Sequence, residues 1–378
     1  MAPGRTENGG RRLPTERTVF WMNTELHPEL CRILSDHAKR YPLMEPCDAV
    51  KLIFQNEFGG EHLISEPNAT LAWLRAERAS TPDDPGALPV EDIGNGMVRV
   101  YLSRLEFTET ALRTLNRDFS RSAEIHQGWR KDFLSKLDAL RGLTRQGVFA
   151  FTLEELETYL ERYISTGCCP LSHSPAYRAA YRPAYRVVKR SASEVVLFRD
   201  LEALRDRGER AIVAIEGRCA SGKTTLAARL GSRLGVPVVH MDHFFLRRSQ
   251  RTEARYTQPG GNIDHERVRA EVLEPLAEGR AALYRPYCCQ TGVLEDPIEV
   301  KPSPLVLVEG SYSCHPALWD FYHCRVFVTV DPEEQLRRIH RRDGPEQLKN
   351  FRERWIPLEE RYFSAYQVED RCGYQLEL

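Results

Sequence analysis

The sequence lacks any apolar run of about 18 residues, which excludes a helical membrane span. It also lacks a net field. Lys+Arg 53 against Asp+Glu 54 leaves a formal charge of -1, so nothing overall gathers nucleic acid or an anionic membrane surface. Ten cysteines occur among 378 residues, but no CxxC is present. Cys168-Cys169 and Cys288-Cys289 are adjacent, a poor spacing for a bridge, and Cys314-His315 and His323-Cys324 miss the usual ligand spacing of zinc sites. The Gly- and Arg-rich stretch Met1 to Arg12 has no apolar core of the kind a secretory signal needs, and residues 1–17 read as a disordered leader. Reduced thiols and a cytoplasmic location are the expectation.

What is present divides into two halves. From Thr18 to about residue 195 apolar residues recur at helical spacing. Leu26–Arg40, Cys47–Phe58, Ala69–Ala79, Glu106–Arg121, Trp129–Leu140 and Leu153–Ile164 are the predicted helices, with Thr152 and Glu155 forming a capping box. Met97–Leu102 reads as one short strand. From Arg210 the pattern becomes uninterrupted apolar runs, Ala211–Ile215, Val236–Met241, Leu305–Val308 and Val326–Val330, alternating with helices at Lys223–Leu234, His265–Glu278 and Pro332–Arg342. Such runs mark strands buried on both faces of a parallel sheet. The predicted fold is α/β, a P-loop NTPase three-layer parallel sheet over residues 205–378, preceded by a mainly helical domain over 18–195. The boundary is expected between Ser191 and Asp200.

Gly217-Arg218-Cys219-Ala220-Ser221-Gly222-Lys223-Thr224 matches GxxxxGK[ST], with a predicted strand before it and a helix after it. Glycines let backbone N–H groups turn inward around a phosphate, and the helix N-terminus favours the negative charge. Gly217, Ala220, Ser221, Gly222, Lys223, Thr224 and Thr225 are the expected nucleotide-binding residues. Lys223 reaches the β- and γ-phosphates of ATP, and Thr224 ligates Mg²⁺. Two carboxylates end neighbouring strands. Asp242 either aligns and deprotonates an attacking hydroxyl or caps a turn. Glu309, after Leu305 to Val308, is placed to hold Mg²⁺. Arg338, Arg341 and Arg342, with Arg337, Arg352 and Arg354 nearby, either close over the transferring phosphoryl or form a solvated basic face.

These segments together resemble the uridine kinase/phosphoribulokinase family of P-loop kinases. The resemblance covers about Arg210 to Leu378 and rests on the loop through Thr225, His240 to Phe245, Gly261 to His265, Tyr284 to Tyr287, Val308 to Gly310, and Trp355 to Glu359. It implies that Asp242 activates the acceptor hydroxyl and that Glu309 supports the metal. It also implies that Asp264 and His265, with Arg285 and Tyr287 of the RPY segment, shape the substrate pocket. His243-Phe244 and Cys288-Cys289-Gln290 depart from the uridine kinase pattern, so kinase chemistry is implied more strongly than uridine as acceptor.

No enzyme family emerges from the first half. Glu57, Glu61 and His62 form either a polar site or a helix-terminating turn with solvated acids, Gly59-Gly60 interrupting the helix. Tyr177-Arg178, Tyr181-Arg182 and Tyr185-Arg186 recur at four-residue spacing, and Pro183 forbids one unbroken helix through them. The tyrosines pack into the core with arginines in solvent, or the tract binds a phosphate or base. Basic and acidic residues balance through Leu197, which disfavours dedicated nucleic-acid binding. The expected function is ATP- and Mg²⁺-dependent phosphorylation of a small-molecule hydroxyl, on a nucleoside or a sugar-like compound. The alternative is a nucleotide-gated regulator with weak ATPase activity. The oligomeric state is not encoded in any motif.

Overall fold

Val213, Ile215, Leu305, Leu307, Val326 and Val328 alternate with Ile212, Ala214, Val306, Val308 and Phe327 along three strands, and both sets are buried. Apolar residues on both faces require cover on both faces, which dictates a three-layer arrangement. A computed structural model describes residues 27–60 and 67–378 of the chain. It divides them into two compact units, the first ending at Lys189 and the second running from Arg190 to Leu378. The expected leader, and Glu61 and His62, lie outside the described residues.

In the first unit the helices are α1 (Pro28–Arg40), α2 (Pro46–Phe58), α3 (Pro67–Ser80), α4 (Glu109–Ile125), α5 (Arg130–Arg145), α6 (Leu153–Ser165) and α7 (Pro175–Tyr181). Thr152 and Glu155 make the reciprocal capping bonds at the start of α6. The expected single strand is the middle of an antiparallel sheet, β1 (Val90–Gly94), β2 (Met97–Tyr101) and β3 (Tyr185–Lys189) in that order. The Tyr-Arg tract therefore divides. Tyr177 is buried on α7 and stacks on His173 at 4.2 Å, Arg182 takes the left-handed conformation (φ 42°), and Tyr185 opens β3. Arg178 and Arg182 are exposed, and Arg186 pairs with Glu77 at 2.7 Å.

The interior of this unit is polar as well as apolar. Arg99, 1% exposed, donates to Gln55 Oε1 at 3.0 and 2.7 Å and pairs with Glu91 opposite it in the ladder at 3.3 Å. Burial opposes ionisation of Glu91, but His37, the Arg99 charge and the Tyr101 hydroxyl hold its carboxyl well below the ordinary range. Glu57 is likewise no solvated acid: its carboxylate is buried, pairs with Lys136 at 2.5 Å and accepts Trp129 N–H at 2.6 Å. An acid left unpaired at that depth would cost several kcal/mol, on the order of 3–5.

The second unit opens with α8 (Glu194–Asp206). Its sheet has the order β12-β11-β4-β10-β5, all parallel, formed by β4 (Ala211–Gly217), β5 (Val238–His240), β10 (Leu305–Glu309), β11 (Cys324–Thr329) and β12 (Tyr374–Glu377). One face carries α8 and α9 (Lys223–Leu234) through Leu197, Phe198, Leu226 and Leu230. Met241, Phe244, Val268, Val272, Tyr362 and Phe363 cover the other. Short ribbons β6 (Ala282–Tyr284) with β9 (Ile298–Val300), and β7 (Tyr287–Cys288) with β8 (Val293–Leu294), lie between β5 and β10 in the chain. The expected helix over His265–Glu278 carries a π-helical turn, Val268–Leu273. A helix over Pro332–Asn350 extends past its expected end at Arg342, but Gly344 (φ 81°, ψ 176°) breaks its geometry and Pro345 restarts it. Among the described residues no helix is long and apolar enough to cross a membrane.

Candidate active site

Three neighbouring strands, β4, β10 and β5, end side by side, and their register aligns Glu309 with Ile215 on one side and His240 on the other. In a parallel sheet of this kind the crevice beyond the strand ends is where ligands bind. The loop after β4 turns sharply. Gly217 has φ 141°, and a Cβ on it would lie 1.9 Å from Val328 O, so no side chain fits. Gly222 (φ 99°) caps α9 and leaves the first amides of that helix unobstructed. Lys223 is buried, and its ammonium donates to Gly217 O and Arg218 O at 2.7 Å each. Arg218 anchors the loop base through Glu360 (2.7 Å), Thr329 (2.9 Å) and Glu369 (3.1 Å).

The carboxylates converge on the same place. Thr224 Oγ1 donates to Glu309 at 3.2 Å, and His240 Nδ1 lies 2.5 Å from the other Glu309 oxygen. That hydrogen bond raises the His240 pKa above its ordinary value. Asp242, in the turn after β5, keeps accessible surface toward the crevice. The protein packed around it, and secondarily the Glu309 charge, push its pKa up. Lys223, Thr224, Asp242 and Glu309 line one cavity of about 810 Å³. Arg338 and Arg342 line it too, four residues apart on one helix face, and are paired with Glu334 at 3.0 Å and Asp343 at 2.8 Å. Arg341 falls to the side of that face and is exposed, outside the cavity wall.

Residues 213–357 match the family model described as an AAA domain. The C-terminal unit is a P-loop domain. Among solved structures, it is similar to a protein described as a possible uridine kinase from Bacillus stearothermophilus, at 19% identity over 47% of this chain and 100% of the other, with a TM-score of 0.36. It is also similar to D-glycerate 3-kinase from Cryptococcus neoformans var. grubii, at 16% identity over 47% of this chain and 92% of the other, with a TM-score of 0.35.

Of the loop residues, Ala220, Gly222, Lys223, Thr224 and Thr225 of the P-loop domain line the cavity, whereas Gly217 lies beneath it with its carbonyl on Lys223. The Ser221 hydroxyl is buried and has no hydrogen-bond partner among the described residues. The four residues expected to shape the substrate pocket are not brought into the wall. Asp264 is the N-cap of the helical turn His265–Arg267 and accepts Arg267 N–H at 3.3 Å and Gln250 Nε2 at 2.7 Å. His265 stacks on His315 at 4.1 Å, and Arg285 is spent on the carbonyls of Leu294 (3.0 Å) and Glu295 (2.6 Å). Tyr287 is buried beneath Arg251, whose guanidinium lies 5.9 Å from its ring centroid.

Their place in the wall is taken by Phe245, Leu246, Arg251, Tyr256, Asn262 and Cys289. Phe351 and Trp355 join them from a π-helical turn, Phe351–Trp355, a local geometry that re-aims side chains. Glu359, which ends the Trp355 to Glu359 segment of the resemblance but is given no role there, is a further wall residue. Its carboxylate accepts Cys219 N–H at 2.9 Å and the Ser311 hydroxyl at 2.6 Å.

Behind the loop sits Glu216, fully buried, accepting N–H bonds from Gly217 (2.8 Å), Tyr312 (3.0 Å) and Cys314 (2.9 Å), and the Tyr362 hydroxyl at 3.1 Å. Burial pushes its pKa up from 4.5 to about 7, against these donors and the Lys223 charge. Between those two values the folded chain holds a proton that the unfolded chain has released, so stability falls as pH rises through that window. The decline is roughly 3 kcal/mol at 1.36 kcal/mol per unit. Urea unfolding at pH 5 and pH 8 is expected to show this decline in the wild type and to lose it in Glu216→Gln. The variant is also less stable at both values, because an amide nitrogen then faces a backbone N–H. Equal pH slopes in the two proteins would remove Glu216 as the source.

Proposed function

We propose that the P-loop domain is an ATP-dependent kinase that phosphorylates a hydroxyl of a small molecule. The observation that carries this reading is the single cavity in which Lys223 and the loop amides, two strand-end carboxylates and two arginines face one another. The residues present fit a magnesium nucleotide: the loop glycines leave amides free of side chains, the Ser221 hydroxyl lacks a partner among the described residues, and Thr224 and Glu309 form an oxygen donor pair. Mg²⁺ held by Thr224 and Glu309 supplies charge neutralisation at the phosphate oxygens.

The chain's own residues perform the remainder. Lys223 binds the β- and γ-phosphates. Asp242 accepts the proton of the acceptor hydroxyl as its oxygen forms a bond to the γ-phosphorus. The bond from that phosphorus to the β–γ bridging oxygen breaks, and ADP leaves with the electron pair. Arg338 and Arg342 stabilise the charge that spreads over the transferring group. Phe351, Trp355 and Tyr256 give the cavity an apolar flank that limits water. A nucleoside or sugar-like compound is the acceptor class that this polar and aromatic wall accommodates.

Incubation of the full chain with labelled ATP, Mg²⁺ and a panel of hydroxyl compounds tests the reading. The expected result is a phosphate ester whose formation depends on one acceptor class. Slow hydrolysis alone across a broad panel would replace the kinase by a nucleotide-gated role.

A further inference from the structure

We infer that the acceptor carries an oxyanion, a carboxylate or a phosphate, besides the hydroxyl that is phosphorylated, and that Arg251 binds it. This rests on the kinase reading and narrows its substrate class. Three arginines line the cavity. Arg338 and Arg342 are matched by Glu334 and Asp343, whereas among the described residues Arg251 forms no ion pair. It is nonetheless positioned. Its Nε donates to Leu246 O at 2.9 Å, and the buried Tyr287 ring lies beneath it at 5.9 Å. Nη2 makes one long contact, donating to Cys289 Sγ at 4.0 Å on the same wall, and among the described residues Nη1 has no partner, which leaves that side of the fork for a ligand.

Two further observations place this cation in the acceptor region. Asp242, Arg251 and Cys289 line the same cavity, so the guanidinium and the proposed base face one space. Leu246, whose carbonyl holds Arg251, donates its N–H to Asn262 O at 3.5 Å. Asn262 is 5% exposed and lines the cavity with Tyr312, whose hydroxyl it approaches, and among the described residues its amide nitrogen makes no close hydrogen bond. An anchored guanidinium beside a buried amide donor, with no carboxylate to satisfy it, is a donor set for an oxyanion. A neutral acceptor would leave both donors unmatched once water is displaced.

The test compares gluconate, ribose 5-phosphate, ribose and uridine as acceptors with labelled ATP, in wild type and Arg251→Gln. An anionic compound is expected to be turned over, and the variant to raise its KM by about 10- to 100-fold with kcat changed far less. Whether gluconate or ribose 5-phosphate responds distinguishes carboxylate from phosphate. Turnover of ribose or uridine that is indifferent to the variant overturns the inference and leaves the kinase reading standing.

A second readout is independent of turnover: modification of Cys289 by iodoacetate relative to iodoacetamide, followed by peptide mass spectrometry. Arg251→Gln is expected to lower that ratio by about threefold or more, since only the anionic reagent gains from the guanidinium. If no acceptor in the panel is used, the kinase reading fails for this panel and the ratio alone decides. An unchanged ratio then overturns the anion site as well.

Discussion

Lys223→Ala is expected to abolish phosphoryl transfer, by about 10³-fold or more, and to weaken nucleotide binding at the same time. The ammonium is buried at the turn of the loop, where it bonds two loop carbonyls and so braces the loop itself, and the proposed function also gives it the β- and γ-phosphates to bind. Truncation removes the charge and leaves Gly217 O and Arg218 O without that donor. Isothermal titration with a non-hydrolysable ATP analogue and Mg²⁺ should show the affinity loss, and a labelled-phosphate assay the loss of turnover. A circular dichroism spectrum matching wild type separates this from unfolding. Wild-type turnover in the variant would remove Lys223 from the chemistry.

Asp242→Asn should behave differently, lowering transfer by about 10²–10⁴-fold while the affinity for the nucleotide analogue stays within a few-fold of wild type. The carboxylate lies in the turn after β5, not in the phosphate loop, and it keeps surface toward the cavity. Asparagine preserves shape and one acceptor oxygen but cannot take a proton. Because surrounding protein and Glu309 raise the Asp242 pKa, wild-type transfer should rise with pH as this group ionises, and the variant should lose that limb. The separation of effects is what matters: a variant that binds and does not transfer marks an acceptor-side group. Equal losses in binding and transfer would instead mark Asp242 as a structural cap.

The strands of this molecule that were readable from residues alone share one property, regular burial. Strands β4, β10 and β11 are buried on both faces, so they appear as unbroken apolar runs, and a carboxylate at the end of such a run is conspicuous. That makes Glu309 legible at the end of its run, whereas Lys223 and Thr224 are legible from the GxxxxGK[ST] loop and Asp242 from the acid that follows Val236–Met241. Strand β12 escaped because Tyr374-Gln375-Leu376-Glu377 sits at a sheet edge with one face covered, which leaves only two apolar residues to see. Strand β1 escaped because Glu91, one of its two inward residues with Ile93, is a charge buried on Arg99, and a charge reads as surface until its partner is known. The repeated Tyr-Arg spacing suggested one environment for three tyrosines, whereas Pro183 and Arg182 divide them between a helix and a strand.

The acceptor wall had no periodicity to follow. Arg251 and Asn262 lie in irregular chain, and only the fold brings them beside Asp242. Asp264 and His265, carried over by resemblance, are consumed by a helix cap and a ring stack.

The alignment of β4, β10 and β5 has an evolutionary consequence. Phosphate handling is tied to strand register, where slipping one residue would turn every side chain to the opposite face. The proposed acceptor contacts lie on loops outside the sheet, which such a slip does not reach. If the proposed kinase reading holds, selection could exchange the compound that receives the phosphoryl group by editing a few loop positions around Arg251, with the strand-end carboxylates kept.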